Sequence, residues 1–332
     1  MEPIEFLFLS QQDVVETGVG LDIAIEVAEG VFREHADGEV ENPPKPGIHP
    51  HGSNFIHAMP GYLRRKGIAG VKWVSGFWDN RSRGLPSIVG IIILNDVETG
   101  IPVAVMDGTY VTALRTAAVS AVAMRHLANP ASRIVGLIGA GVQGRYHLRV
   151  LKDVLPALER VRVFDIDSDV TRRFVAEMGE RIPFALEAGN SAEDVIRGAD
   201  VVITAPGNLD RPVFYEAWSR DATLILPVHS KGWEQRLLEA ADKLIVDDWG
   251  QFRRYLGPPD GFYDALPEPF AELGQIVAGH RPGRERAQER IVSYNPGLAM
   301  QDIGLAATVL ARAREKGLGT KLTLADRALP FV

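Results

Sequence analysis

The sequence predicts an α/β protein built on a Rossmann-type, doubly wound parallel sheet, joined to an N-terminal α+β domain. Three observations predict it. An apolar run, Ile134 to Ile138, breaks at glycines and turns directly into a helical pattern; alternating strand and helix signals follow it; and strand-like runs without intervening helices precede it.

In chain order, the first element is a helix from Asp22 to about His35. It leads into a loop rich in Pro, Gly and His, Asn42-Pro-Pro-Lys-Pro-Gly-Ile-His-Pro-His-Gly52. Short strand-like runs follow at Phe55 to Met59, Gly70 to Val74, Ile88 to Leu94 and Ile101 to Met106. The last two flank Asn95-Asp-Val-Glu-Thr-Gly100, which carries turn-forming residues and reads as a hairpin. These runs imply an antiparallel sheet or a partial barrel. An alanine-rich helix, about Thr112 to Ala128, ends before Asn129-Pro130, the natural domain boundary. The expected domains are therefore 1–129 and 130–302. A C-terminal helix, roughly Asp302 to Lys316, and a tail with Leu322 and Leu324 return to complete the first domain over about 303–332.

The chemistry is most legible in Gly139-Ala-Gly141-Val142-Gln143-Gly144. Gly139 permits a tight turn and Gly141 keeps a side chain away from a pyrophosphate. Gly144 lets helix and strand pack closely, while the free N–H groups of the helix start at Val142 point at phosphate charge. Val161 to Phe164 reads as the next strand, and Asp165 at its end, about 20 residues beyond the glycines, is placed to accept ribose hydroxyls. A carboxylate there, with Asp167 nearby, repels a 2′-phosphate and favours NAD over NADP; Arg172 and Arg173 keep NADP open. Ser191-Ala-Glu-Asp194 is a helix start, and Val201 to Ala205, Thr223 to Leu226 and Lys243 to Val246 are buried strands. Ligands of such a sheet lie outside its carboxyl ends, which gives weight to Asp165, Thr204 and the segment after Leu226.

Composition narrows the class. The 332 residues are 46% hydrophobic and 24% charged, an ordinary globular balance. A net charge of −7 with scattered basic residues argues against nucleic acid as a partner. The longest strongly apolar run, Ile88 to Leu94, is too short to span a bilayer, and Met-Glu-Pro-Ile-Glu carries no positive leader; a cytoplasmic location without a membrane partner is expected. The absence of cysteine excludes disulfides, thiolate nucleophiles and zinc–sulfur sites.

Five blocks taken together extend the reading: Lys72-Trp-Val-Ser-Gly-Phe-Trp-Asp-Asn80, Leu94-Asn-Asp96, Thr112-Ala-Leu-Arg115-Thr-Ala-Ala-Val-Ser120, Leu137-Ile-Gly-Ala-Gly-Val-Gln143-Gly144 and Asn295-Pro-Gly-Leu-Ala-Met-Gln-Asp302. In this order they resemble the ornithine cyclodeaminase and μ-crystallin family. The resemblance implies a nicotinamide ring held over the α-carbon of an amino or imino acid, and a homodimer built by the N-terminal domain. Carried over by position, Arg115 grips the substrate carboxylate and Lys72 stands at the substrate site. Lys45 falls where many relatives have a second carboxylate-binding arginine, keeping the charge but losing the two-point fork. Ser87 takes the place of a small hydroxyl near the ligand, Gln143 lies beside the cofactor phosphates or ribose, and Asn295 replaces a serine near the nicotinamide. The plainer alternatives are a surface ion pair for Arg115, an outward-facing strand residue for Lys72, and ordinary loop or cap hydrogen bonds for Ser87, Gln143 and Asn295.

One departure stands out. Where cyclodeaminases carry an aspartate after the fifth strand, this chain reads Leu226-Pro-Val-His229-Ser-Lys231-Gly-Trp-Glu234, with Lys231 in the aspartate slot. Lys231 and His229 are the candidate proton-handling groups there, against a reading of both as solvated loop residues. The His49-Pro-His51 and His57 cluster lacks a nearby carboxylate and reads as a pocket-lining or exposed loop; no metal site is expected. The function expected is hydride transfer between NAD and the α-carbon of an amino or imino acid. Two alternatives stay open: a cyclodeaminase-type ammonia-lyase with internally recycled NAD, and a non-catalytic binding protein of the μ-crystallin kind.

Overall fold

In the computed structural model, residues 3–220, 223–259 and 261–326 are described, so 327–332 of the expected C-terminal return lie outside the described residues. Contacts divide the chain into two compact units, 1–115 with 298–332, and 116–297.

The first unit opens with β1 (Ile4–Leu9), α1 (Gln11–Glu16) and α2 (Leu21–Ala36). The strands β2 (Val40–Glu41), β3 (Gly47–Ile48), β4 (Phe55–Leu63), β5 (Ile68–Gly76), β6 (Ile88–Asp96) and β7 (Pro102–Asp107) follow. Helix α3 (Gly108–Leu127) then carries the chain onward, and Asn129-Pro130 comes just after its end.

The second unit contains β8 (Ile134–Ile138), α4 (Val142–Val154), β9 (Arg160–Phe164), α5 (Ser168–Gly179), β10 (Ala185–Ala188), α6 (Ala192–Ile196) and β11 (Val201–Thr204). After these come β12 (Leu224–Pro227), α7 (Gln235–Glu239), β13 (Lys243–Val246), α8 (Trp249–Leu256), β14 (Ala271–Glu272), α9 (Leu273–Val277) and β15 (Ile291–Tyr294). The chain returns to the first unit as α10 (Ala299–Lys316) and β16 (Thr320–Ala325).

The second unit is the expected doubly wound sheet, with strand order β10-β9-β8-β11-β12-β15-β13-β14 and every pairing parallel. The order reverses between β8 and β11, and such a reversal opens a ligand crevice at the strands' carboxyl ends. Strands β11, β12, β13 and β15 are buried on both faces, and Ile138, Val202, Ile225, Trp233, Phe252 and Tyr294 belong to one continuous apolar core.

The first unit carries a sheet, not a partial barrel, in the order β16-β1-β7-β6-β5-β4-β2, with β3 on β4. All its pairs are antiparallel except β1 with β7, because a chain passing through two helices and several strands before reaching β7 re-enters the sheet beside β1. The hairpin at Asn95 to Gly100 forms as read, closed by the Thr99 N–H on Asp96. One face of the sheet carries Met59, Leu63, Val74, Ile92, Leu94 and Met106 inward. Helix α10 lies against this face, and Gly304 brings it close to α2: a Cβ there would lie 2.7 Å from Val31 Cγ2. The opposite face leaves Trp73, Val89, Ile91 and Phe8 exposed, and the register places all four on one side. Among the described residues no helix is long and apolar enough to cross a membrane.

Candidate active site

The candidate site residues fall into two sets, one in each unit. In the second unit, β8 ends at Ile138 and the chain turns through Gly139 at φ 99°, the left-handed region where an L side chain is strained. A Cβ at Gly139 would also lie 2.3 Å from the Ala205 carbonyl oxygen, so this turn is open to glycine alone. Gly144 is equally crowded against the Gly139 carbonyl, at 2.2 Å. Gly141 is different: no atom comes within 4 Å of where its Cβ would stand, so the space over that backbone is open.

Gly141 is also the N-cap of α4 and gives it no side-chain cap, so the first-turn N–H groups lack a side-chain partner beside the exposed Val142. Asp165, half-buried at the end of β9, accepts the Ala140 N–H at 2.9 Å and the Asp167 N–H at 3.1 Å, one on each oxygen. The carboxylate therefore fixes the glycine loop and keeps lone pairs on both oxygens. Two acceptors at this end of the sheet, Gln143 Oε1 and Asn295 Oδ1, are buried with no partner among the described residues; Asn295 Nδ2 donates to Ser293 Oγ at 2.9 Å. An open backbone, an uncapped helix start, a carboxylate with spare lone pairs and two orphaned acceptors are what a dinucleotide would satisfy.

The loop after β12 is tied down. The Trp233 indole donates to Thr204 Oγ1 at 3.0 Å, and Thr204 Oγ1 lies 2.8 Å from His229 Nε2. His229 Nδ1 contacts the Lys231 carbonyl, which can only accept, so Nδ1 carries the proton and Nε2 accepts from Thr204. Burial holds the His229 imidazole down to about 4, so it is neutral at physiological pH. Neither ring nitrogen is left for a substrate proton in this arrangement. The Tyr294 hydroxyl donates to the Ser230 carbonyl at 2.9 Å, which pins the same loop. The Lys231 side chain stands exposed.

In the first unit, Lys72 projects inward from the middle of β5 and is almost completely buried, whereas its neighbour Trp73 is 46% exposed on the opposite face. Its Nζ donates to Asp302 Oδ2 at 2.7 Å and lies 3.5 Å from Thr112 Oγ1. Arg115, one helical turn beyond Thr112 on α3, donates its Nε to Asp302 Oδ1 at 3.0 Å. Asp302, from the first turn of α10, is fully buried and thus joins a strand and a helix that meet nowhere else in sequence.

The charges here are mutually tuned. Burial pushes the Lys72 ammonium down to about 7; Asp302 opposes the shift, and Arg115 and Lys45 add to it. Burial alone would raise the Asp302 carboxyl, but Arg115 and then Lys72 outweigh it and hold the group below its usual range. The charge of Lys45 acts on both Lys72 and His57, and its neighbour Pro46 accepts the Ala58 N–H of β4. Ser87 is half-buried at the start of β6, where its carbonyl accepts the Phe77 N–H, and none of its contacts joins it to Lys72 or Arg115. Among the described residues no group of three or more His, Asp or Glu side chains could hold a metal ion.

Sequence reasoning passed over Asp302 as a functional residue, although it closes the last of the five blocks. It also missed Ile166, 95% exposed beside Asp165, and His147, whose buried ring bridges Ser120 Oγ and the Gln143 carbonyl under the start of α4. An apolar side chain directly after the strand-end acid is a signal that could have marked Ile166.

The profile of the ornithine cyclodeaminase/mu-crystallin family matches residues 5–317. The nodulation efficiency protein NfeD of Rhizobium meliloti is 39% identical over 313 residues, covering 94% of this chain and 97% of that protein. Among solved structures, the Thermococcus litoralis Delta(1)-pyrroline-2-carboxylate reductase in complex with NADH and L-proline is 32% identical, with a TM-score of 0.85, over 95% of this chain and 99% of the other. An archaeal alanine dehydrogenase dimer with bound NAD is 31% identical, with a TM-score of 0.84, over 96% and 99%. The fold, the glycine loop and the full-length match lead to one assignment: the chain belongs to the ornithine cyclodeaminase/mu-crystallin family.

Proposed function

We propose that the protein is an NAD-dependent oxidoreductase that moves a hydride to or from the α-carbon of a small amino or imino acid. The observation that carries the proposal is the buried Lys72, held between Asp302 and Thr112 with its ammonium brought down to about 7. A group so tuned gives or takes a proton at neutral pH, which amine–imine interconversion requires. Among the described residues Arg115 bonds Asp302 through Nε, which leaves the two terminal nitrogens of its fork for a substrate carboxylate. NAD, when bound, supplies or accepts the hydride. The open backbone at Gly141 and the α4 N-terminus would hold its pyrophosphate, Asp165 its adenosine ribose, and Gln143 and Asn295 its remaining donors. Ile166 offers an apolar surface beside the adenosine end.

In the oxidative direction, the α-carbon loses a hydride and the amine loses a proton to neutral Lys72 Nζ, leaving an imine; reduction runs these transfers backwards. Lys72 takes the proton role in this reading because His229 has both nitrogens engaged and Lys231 is exposed. His229 instead positions the end of β11 through Thr204. The similarity to a reductase seen with NADH and L-proline and to an alanine dehydrogenase seen with NAD supports the substrate class and the cofactor. The exposed row of Trp73, Val89, Ile91 and Phe8 supports a homodimer formed through the first unit's sheet, in keeping with the dimeric alanine dehydrogenase.

The test is incubation of the protein with NAD and a panel of amino acids, and with NADH and 2-oxo acids plus amines, following absorbance at 340 nm and free ammonia together. Sustained net NADH change is the expected result. Ammonia release without net NADH change would instead assign a cyclodeaminase reaction, and silence in both despite cofactor binding would overturn catalysis.

A further inference from the structure

The sheet face that holds Lys72 carries a second basic group that proton transfer and α-carboxylate binding do not use. Gly47 of β3 pairs with His57 of β4, and the Ala58 N–H reaches the Pro46 carbonyl at 3.0 Å, so the segment leading into β3 runs along β4. His57 sits on the same face as Met59, which pairs with Lys72. The His57 ring stacks on Phe55 at 4.4 Å and meets His49 edge-on at 6.0 Å. The ring occupies the space a side chain at position 47 would need: a Cβ on Gly47 would lie 2.1 Å from His57 Cδ2. The imidazole is therefore a built feature, bracketed by an aromatic ring and a glycine backbone.

Lys45 directly precedes Pro46, whose carbonyl holds this segment to β4. Burial brings His57 down to about 4, and Lys45, His49 and Lys72 add to that shift in this order. The His57 imidazole is therefore uncharged at neutral pH and able to donate its N–H to an anion, while the nearby Lys45 supplies the attracting charge. The layout also sets a length. Thr112 of α3 meets Lys72 on β5, and Arg115 shares Asp302 with it, whereas His57 belongs to β4 and Lys45 and His49 flank β3. Two strand spacings separate β3 from β5, about 10 Å. Two carboxylates joined by two or three carbons, with a hydrogen bond at each end, span about that distance.

We propose that Lys45, His49 and His57 receive a second carboxylate, so that the substrate is a dicarboxylic amino or imino acid with its α-carboxylate on Arg115 and its distal carboxylate at the β3–β4 edge. This rests on the oxidoreductase reading for the word substrate, but the anion site is testable without turnover. Calorimetric titration of the whole protein, with and without NADH, compares 2-oxoglutarate with 2-oxopentanoate, which has the same chain length and no distal charge. The dicarboxylate is expected to bind at least about ten-fold tighter. Lys45→Met and His57→Phe are expected to shrink that ratio several-fold, and Lys45→Arg to keep it, with unfolding temperatures reporting that each variant folds.

Equal affinity in the wild type overturns the inference, as does a Lys45→Met variant that weakens both ligands by the same factor, since Lys45 would then serve the α-carboxylate. Turnover of monocarboxylic amino acids with no dicarboxylate preference overturns it and leaves the oxidoreductase reading standing. Preferential binding of 2-oxoglutarate with no turnover of any substrate does the reverse.

Discussion

Lys72 Nζ lies 2.7 Å from Asp302 Oδ2, a contact between residues 230 positions apart that is buried on both sides. Asp302 is the carboxylate shared by Lys72 and Arg115, so its charge stabilises two buried cations at once. Replacing it by asparagine leaves both without their counter-charge, a change that costs about 3–5 kcal/mol for a buried pair. Asp302→Asn is expected to lower the unfolding temperature markedly and to shift the activity–pH profile of any residual turnover downward, because the one group that raises the Lys72 ammonium is gone. Unchanged stability and an unchanged profile would remove Asp302 from the site.

The pH dependence follows from Lys72. In the folded protein it loses its proton at about 7, against 10.5 ordinarily. Oxidation of an amino acid, which needs neutral Lys72, should rise as pH passes through about 7, and imine reduction, which needs the ammonium, should fall over the same range. Stability carries the matching sign. Between about 7 and 10.5 the unfolded chain holds the extra proton, so the contribution of Lys72 to stability increases with pH across that window and costs most below it. Chemical denaturation of the wild type and of Lys72→Met at several pH values measures this difference.

Two glycines of one loop should separate binding from folding. Gly141→Val places a side chain into open space, so the unfolding temperature should hold while dinucleotide binding, read by fluorescence titration, falls at least about a hundred-fold. Gly139→Ala meets a carbonyl at 2.3 Å from a left-handed backbone, so it should destabilise the fold itself by a few kcal/mol. Equal effects of the two variants would contradict the assignment of the open space to the cofactor.

If the exposed row on the first unit's sheet joins two copies, Trp73→Glu should yield a folded monomer in sedimentation experiments, since its side chain is already 46% exposed in a single chain. A dimer that survives this change would place the interface elsewhere.

What the sequence made legible was what is local. The strand before Gly139, the helix after it and the acid at the end of β9 form one continuous mechanical unit, and all three could be read in order. The hairpin at Asn95 to Gly100 was readable for the same reason. Strands β1 and β16 escaped notice because they pair with each other from opposite ends of the chain, and neither alternates cleanly. The orientation of Lys72 was ambiguous because both its neighbours, Val71 and Trp73, are apolar; an exposed apolar face inverts the usual reading of alternation. His229 looked available for catalysis in sequence, and only the long-range chain of Trp233, Thr204 and the Lys231 carbonyl shows both nitrogens in use. Asp302 lay in a quoted block yet carried no local sign of its partners.

The first unit is assembled from residues 1–115 and 298–332, with the whole of the second unit made in between. During synthesis, therefore, Lys72 and Arg115 emerge long before the carboxylate that neutralises them. Until Asp302 arrives, Lys72 can be buried only by giving up its proton, and Arg115 only as a cation without this counter-charge, which is strongly disfavoured. A chain interrupted before α10 would leave Lys72 and Arg115 without the carboxylate that pairs with both.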